Sequence, residues 1–462
     1  MTSVTRFICL ARIEQMQVKL AVVAFVLLVG IANSNAQSIT NIYVLRGLAP
    51  VTVLRNSAAG KAALAANYTV TGGIQTGTIR QPTLLPFAGQ QQQALKDAFI
   101  TDGNLAELAD GLGTTLGSAY LARAHYKDRG HFTNAAQSVA DLIALTNDTT
   151  RADSNSAKFF FANATTNGKL PVSDQAAAIL KAVGGAPDPF GQDYGRPAGS
   201  QGADAYGNSR PFQTEPSVAL ITGLDYFNVP ADNTVYNRGP IVNLIDSPSY
   251  PSGHTTYGYM GSLLLAILVP ERYQQMMARA AEYGDDRILM GAHYAMDVIG
   301  GRTLATFDLA HLLANDPIYI NRSFNGAPLI KDYQAAVKTA KADLAKVLQA
   351  ACGNTVEVCA LEDTGRFSDP VANEAFHAVT QTYGLPVVYP QNAEDVGKLA
   401  PEAGYLLTVA FPTLTLEQAD QILTETEGPG GEFLDNGSAF GVYSRLNLYA
   451  AAGRAAQMAQ GK

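Results

Sequence analysis

The centre of this chain most constrains its fold, because three helix-forming segments follow one another there almost without interruption. One begins near His254 and runs through TTYGYMGSLLLAIL. A second begins at Pro270, a residue suited to a first helical turn, and continues ERYQQMMARAAEYG. The third, YAMDVIGGRTLATFDLAHLLAN, carries an apolar stripe through Met296, Ile299, Leu304, Phe307 and Leu312, weakened by Gly300-Gly301. Upstream, QQQQALKDAFI, NLAELADGLGTTLGSAYLARAHY and AAQSVADLIAL repeat apolar residues at three- and four-residue steps, and SDQAAAILKAV opens on a plausible N-cap at Ser173. Alternating strand-type runs are sparse. The expected fold class is all-α: a helical bundle with a mostly helical C-terminal extension.

The flanks of this body read differently. Residues 1–36 have the form of an export signal: Arg6, Arg12 and Lys19 precede the apolar run LAVVAFVLLVGI, and Ser34 and Ala36 occupy the small-residue cleavage positions. The long basic lead leaves Met16 as an alternative start. Residues 37–89, rich in Gly, Thr and Ala, read as an irregular arm, and 90–315 as the core. Residues 316–462 form an extension with the charged helix KDYQAAVKTAKADLAKVLQAA, a helix around Asn373 to Tyr383, and another with a capping signal at Thr415 and Gln418. Pro386, Pro390 and Pro401 suggest an extension that packs on the core.

Cys9 lies in the signal, which leaves Cys352 and Cys359 in CGNTVEVC, most simply a local disulfide in an exported chain. No soft metal ligands cluster around them, and no later apolar segment reaches the length of a membrane span. The formal net charge is −8, and −10 without residues 1–36. That charge argues against a general nucleic-acid or anionic-membrane surface, so any anion must be caught by a local cluster of cations.

Chemistry concentrates in three places. In SYPSGHTTYG, Pro251 and Gly253 fix a tight turn, and the helix that follows points its free N–H groups at the same spot, an anion cradle with His254 on its rim. In GDDRILMGAHYAMDVIGG, Arg287 precedes His293, and Asp297 follows His293 by one helical turn. If His293 begins a helix, Asp297 can take a hydrogen bond from one imidazole nitrogen and leave the other free to attack. Upstream, YGNSRPFQ supplies Arg210 before Pro211 and Phe212. Each segment alone is compatible with an ordinary turn, a surface Asp/His pair or a solvated arginine; the order of the three is specific.

Taken together they resemble the phosphatidic acid phosphatase type 2 superfamily, and within it the exported class A bacterial non-specific acid phosphatases, which share K-x6-RPF, SYPSGHT and SR-x5-H-x3-D and a helical-bundle fold with the vanadium haloperoxidases. The resemblance covers roughly Asp204 to Leu313 and hardly touches the extension. It implies a metal-independent phosphomonoesterase, periplasmic or secreted, that acts on small phosphate monoesters without a cofactor. His293 would be the nucleophile, Asp297 its support and His254 the acid for the leaving oxygen. Arg210, Arg287, Ser252 and the Gly253 backbone would bind phosphate. Two guanidinium forks and helix N–H groups can hold such an anion without a metal.

Alternatives from the same pattern are a vanadate-dependent haloperoxidase and a phosphate-binding protein with a decayed site. Two departures bear on all of them. Ala203 stands at the lysine position, with Arg196 or Lys181 as possible substitutes, and Asp286 replaces the serine before Arg287. Arg196-Pro197 is also an alternative first segment. His125, His131, His311 and His377 lack motif company and read as structural or surface residues, and sequons such as those at Asn67 and Asn163 read as unused.

Overall fold

Helix α1 (Ile42–Leu48) is followed by α2 (Ala58–Thr76), whose N-cap Ser57 accepts the Gly60 N–H at 2.9 Å. The structure is a computed structural model that describes residues 41–80, 84–99, 103–185, 187, 208–322, 327–390 and 395–461. The expected export signal, Ala203 and Arg196 lie outside the described residues.

The segment 37–89, expected to be irregular, is helical over both α1 and α2. Alanines supply propensity, and the polar residues that disguise α2 have tertiary partners. Asn67 Oδ1 accepts the Met296 N–H at 2.9 Å, and Thr71 Oγ1 accepts the Ala295 N–H at 3.1 Å. Asn67 is fully buried in this role.

Helices α3 (Phe87–Lys96) and α4 (Thr114–Leu121) come next. The run expected as one helix from Asn104 is instead a 3-10 segment, Ala106–Leu112, broken from α4 at Gly113, whose φ of 92° is left-handed. Helix α5 (Gln137–Asn163) spans 27 residues and continues far past its apolar start. Its threonines back-bond to the preceding turn: Thr146 to Leu142 O at 2.6 Å, Thr149 to Leu145 O at 2.9 Å, Thr150 to Thr146 O at 3.1 Å. With hydroxyls satisfied inside the helix, a polar sequence can be buried. Helix α6 (Asp174–Val183) follows its N-cap Ser173.

The three central segments form α7 (Gly253–Leu268), α8 (Tyr273–Leu289) and α9 (Ala295–Leu313), each almost wholly buried. Pro270–Arg272 is a 3-10 turn ahead of α8. Leu263, Leu264, Leu265 and Ile267 of α7 are at most 1% exposed, and each such side chain contributes about 1.5–3 kcal/mol. The glycine pair that weakens α9 has a packing reason. A Cβ at Gly301 would lie 2.4 Å from Ser252 O, and one at Gly300 would lie 2.7 Å from the Tyr250 ring. The bare backbone lets the Pro-Ser-Gly-His turn rest directly on α9.

The C-terminal region contributes α10 (Tyr333–Cys352), α11 (Pro370–Thr382), α12 (Leu416–Thr426) and α13 (Leu448–Ala459). It packs into the same apolar core, and Ile42–Lys462 is one compact unit. Core arginines bind it: Arg302 donates to Thr380 O, Gln381 O and Ser444 O at 2.8–2.9 Å, and Arg272 pairs with Asp363. Cys352 and Cys359 are disulfide-bonded. Sheet structure among the described residues is confined to two hairpins, β1 (Tyr126–Asp128) with β2 (His131–Phe132) and β3 (Thr222–Leu224) with β4 (Pro230–Asp232). No helix among them is long and apolar enough to cross a membrane.

Candidate active site

Every catalytic or phosphate-binding residue read from the motifs falls in one buried region, where the turn before α7 meets the turn before α9. The first turn is pinned by Asn208, whose side chain exchanges hydrogen bonds with the Tyr250 N–H and C=O, both at 3.2 Å, while its own C=O accepts the Ser249 N–H at 2.9 Å. Ser252 caps α7, accepting the Thr255 N–H at 3.0 Å, which leaves its own hydroxyl proton available to a ligand. The N–H groups of the first turn, Gly253 and His254 among them, have no acceptor one turn back.

His293 does not begin a helix as expected. It lies just before Tyr294, the N-cap of α9, and Asp297 is the residue whose carboxylate accepts the Tyr294 N–H at 2.9 Å. That cap still brings Asp297 Oδ2 within 3.4 Å of His293 Nδ1. Ser249 makes the closer link: its hydroxyl donates to Asp297 Oδ2 and lies 3.4 Å from His293 Nδ1. The support of the imidazole is thus a serine–carboxylate pair, and Ser249, the first residue of SYPSGHT, was given no role from the sequence. Burial pushes the Asp297 pKa up to about 6, against the hydrogen bonds from Ser249 and Tyr294.

With Nδ1 facing Asp297 and Ser249, His293 Nε2 points to the opposite side. There it meets Arg210 Nη1 at 3.0 Å and His254 Nδ1 at 2.9 Å. Burial, then Arg210, holds the His293 pKa well below the ordinary imidazole value. His254 is depressed likewise, by burial and then by Arg287, Arg210 and Lys158. Both shifts favour the neutral imidazole, and His293 Nε2 keeps a lone pair.

The cations differ in what holds them. Arg210 spends all five N–H donors on protein acceptors: Ser247 O at 2.6 Å and, each at 3.0 Å, Ser247 Oγ, Pro248 O, Ala292 O and His293 Nε2. It is brought to His293, and only the donors on His293 Nε2 and Ser247 Oγ can turn to a ligand without stranding a backbone carbonyl. Arg287 bonds Ala94 O at 3.2 Å and lies over the Tyr283 ring at 4.8 Å, while its buried Nε has no partner.

Asp286 does not load the site with negative charge. Burial, then Asp97 and Glu282, keeps its pKa well above the usual carboxylate range, and it hydrogen-bonds Asp97, which Arg279 grips at 2.5 and 2.7 Å. It is a neutral acid turned into the packing between α3 and α8. Lys181 is exposed on α6. Two polar residues that sequence reasoning missed, Lys158 and Ser154 of α5, lie against Gly253: a Cβ there would meet Lys158 Nζ at 2.9 Å and Ser154 Oγ at 3.3 Å.

His131 is exposed beside Asp128, His311 bonds Asp316 at 2.8 Å, and His377 is buried with its pKa down to about 3; none of these, nor His125, bonds a site residue among the described residues. No group of three or more His, Cys, Asp or Glu among those residues is arranged to hold a metal ion.

Residues 194–315 match the model of the PAP2 superfamily. The chain is 44% identical over 64 residues to a non-specific acid phosphatase of Salmonella typhimurium, an alignment covering 14% of this chain and 26% of the relative. It is 42% identical over 64 residues to an acid phosphatase of Zymomonas mobilis, covering 14% and 24%, and 37% identical over 67 residues to a non-specific acid phosphatase of Providencia stuartii, covering 14% and 27%. The chain thus spans about a quarter of the length of these relatives.

Proposed function

We propose that this chain is an exported, metal-independent phosphomonoesterase, periplasmic or secreted, that works through a phosphohistidine on His293. One observation carries the reading: His293 Nε2, backed on its far side by Ser249 and Asp297, faces Arg210 and His254. A neutral, oriented imidazole nitrogen beside a guanidinium and an unsatisfied helix N-terminus suits attack on a phosphoryl group, where catalysis is positioning and charge stabilisation.

In the first step Nε2 forms a bond to phosphorus as the ester P–O bond breaks, and His254 delivers a proton to the departing oxygen. In the second, water attacks phosphorus, His254 takes its proton, and the N–P bond breaks to release phosphate. Burial, then Arg287, Arg210 and Lys158, depresses His254, and the phosphate charge works against the three cations and so favours its protonation on substrate binding. In-line attack needs phosphorus between the two histidines, and 2.9 Å between the nitrogens is too little. His254 must therefore swing aside as substrate enters.

The test is hydrolysis of p-nitrophenyl phosphate by the purified protein at acid pH. Activity insensitive to EDTA, inhibited by vanadate and lost in His293→Ala by on the order of 10⁴-fold or more is expected, with phosphate trapped on His293 after an alkaline quench. A protein inert towards the ester that oxidises halide with added hydrogen peroxide once loaded with vanadate would instead be a haloperoxidase, and one that does neither a binding protein.

A further inference from the structure

We infer that Lys158, with Ser154 one helical turn before it, supplies from α5 the phosphate-binding ammonium that the motif pattern would put at position 203. This deepens the proposed function and rests on it.

The two side chains share a face of α5, four residues apart, and both lie over the N-terminus of α7. Lys158 Nζ would be 2.9 Å from a Cβ at Gly253 and Ser154 Oγ 3.3 Å, so only glycine lets them close on the turn. Lys158 is 7% exposed and Ser154 fully buried. Ser154 Oγ has no hydrogen-bond partner among the described residues. A hydroxyl buried without a partner is costly, and a ligand oxygen at the turn would satisfy it together with the ammonium beside it.

The charges near Lys158 point to the kind of ligand. Arg210 and the rings of His254 and His293 lie near enough to act on it or feel it, and Asp297 is the carboxylate that favours its charge. Burial, then Arg210, brings the Lys158 pKa down to about 7. A group that holds its proton weakly in the empty site regains it when a multivalent anion arrives. Arg210, by contrast, has its donors committed to the fold. Lys158 can give all three of its donors to phosphate oxygens, and Ser154 can add one more.

The experiment compares wild type with Lys158→Met and Lys158→Gln. Inorganic phosphate binding is measured by calorimetry at pH 5.5, alongside KM and kcat for p-nitrophenyl phosphate, with thermal unfolding as the check on folding. Lys158→Met should weaken phosphate binding about 10- to 100-fold, the scale of a hydrogen bond to a charged group. KM should rise with it, Tm should not fall, and Lys158→Gln should lose less because its amide keeps donors. Phosphate affinity within twofold of wild type in a folded variant overturns the assignment and leaves the phosphatase reading intact. A wild type that binds phosphate but turns over no ester overturns that reading, while the binding comparison still decides the role of Lys158. If Lys158→Met does not fold, Lys158→Gln is read in the same way.

Discussion

Two regions place buried cations at the same site and hold them in opposite ways. The segment matching the PAP2 superfamily, 194–315, brings Arg210 fixed by five acceptors, three of them backbone carbonyls. Helix α5, outside that segment, brings Lys158, whose Nζ lies against Gly253 beside Ser154 Oγ. A saturated guanidinium is part of the scaffold as much as of the chemistry. A buried ammonium on a long flexible side chain is costly to desolvate and can turn to a ligand. The recognisable motif therefore builds the frame around His293, and a helix without a motif adds a further cation beside it.

The largest effect that would sharpen this contrast is at His254. Substitution by Ala should lower kcat by about 10²- to 10⁴-fold on alkyl phosphates, and much less on p-nitrophenyl phosphate, whose leaving group needs no proton. Steady-state rates across a series of leaving groups test this. The Lys158→Met loss should be the same for every leaving group, so equal dependence in both variants would erase the distinction between the regions.

Next comes Arg210→Lys. Three lysine donors cannot serve five acceptors, and each buried carbonyl left bare costs about 1–3 kcal/mol. Chemical denaturation should therefore reveal a clear loss of stability, against none for Lys158→Met; equal losses would break the comparison.

The smallest effect is on pH dependence of stability. Burial raises Asp285 and Glu432 to about 7, and Asp286, Glu107 and Asp308 are raised as well. Such groups hold protons that the unfolded chain releases near pH 4, so their contribution is complete below that and is lost as pH rises towards 7. His254, His293 and His377 are depressed and act in the opposite sense below about 6.5. The carboxyls outnumber them, so Tm should fall by a few degrees between pH 5 and pH 7. A Tm that rises across this interval would mean that the depressed histidines dominate.

Much of the fold was legible because its signals are local. The capping pair at Thr415 and Gln418 starts α12, with 2.9 and 3.2 Å bonds between them, and Ser173 caps α6. The apolar stripes of α7 to α9 are read in their places to within a few residues. The arm was misread because α2 is stabilised by distant contacts, Asn67 and Thr71 capping α9, which composition cannot reveal. Asp286 looked like a threat to phosphate binding for a similar reason: its neutrality depends on Asp97, far away in the chain.

The sequence by itself determined the helical class and the order of the three motif segments, since tight turns and helix starts impose their own residue types, and the structure brings His254, His293 and Asp297 of those segments together. Only the tertiary structure decided that Ser249 links Asp297 to the imidazole and that α5 brings Lys158 and Ser154 to Gly253. Those assignments depend on which helices cross and at what distance. A lysine in a polar stretch has no periodicity or spacing that distinguishes a solvated charge from one held over an anion site.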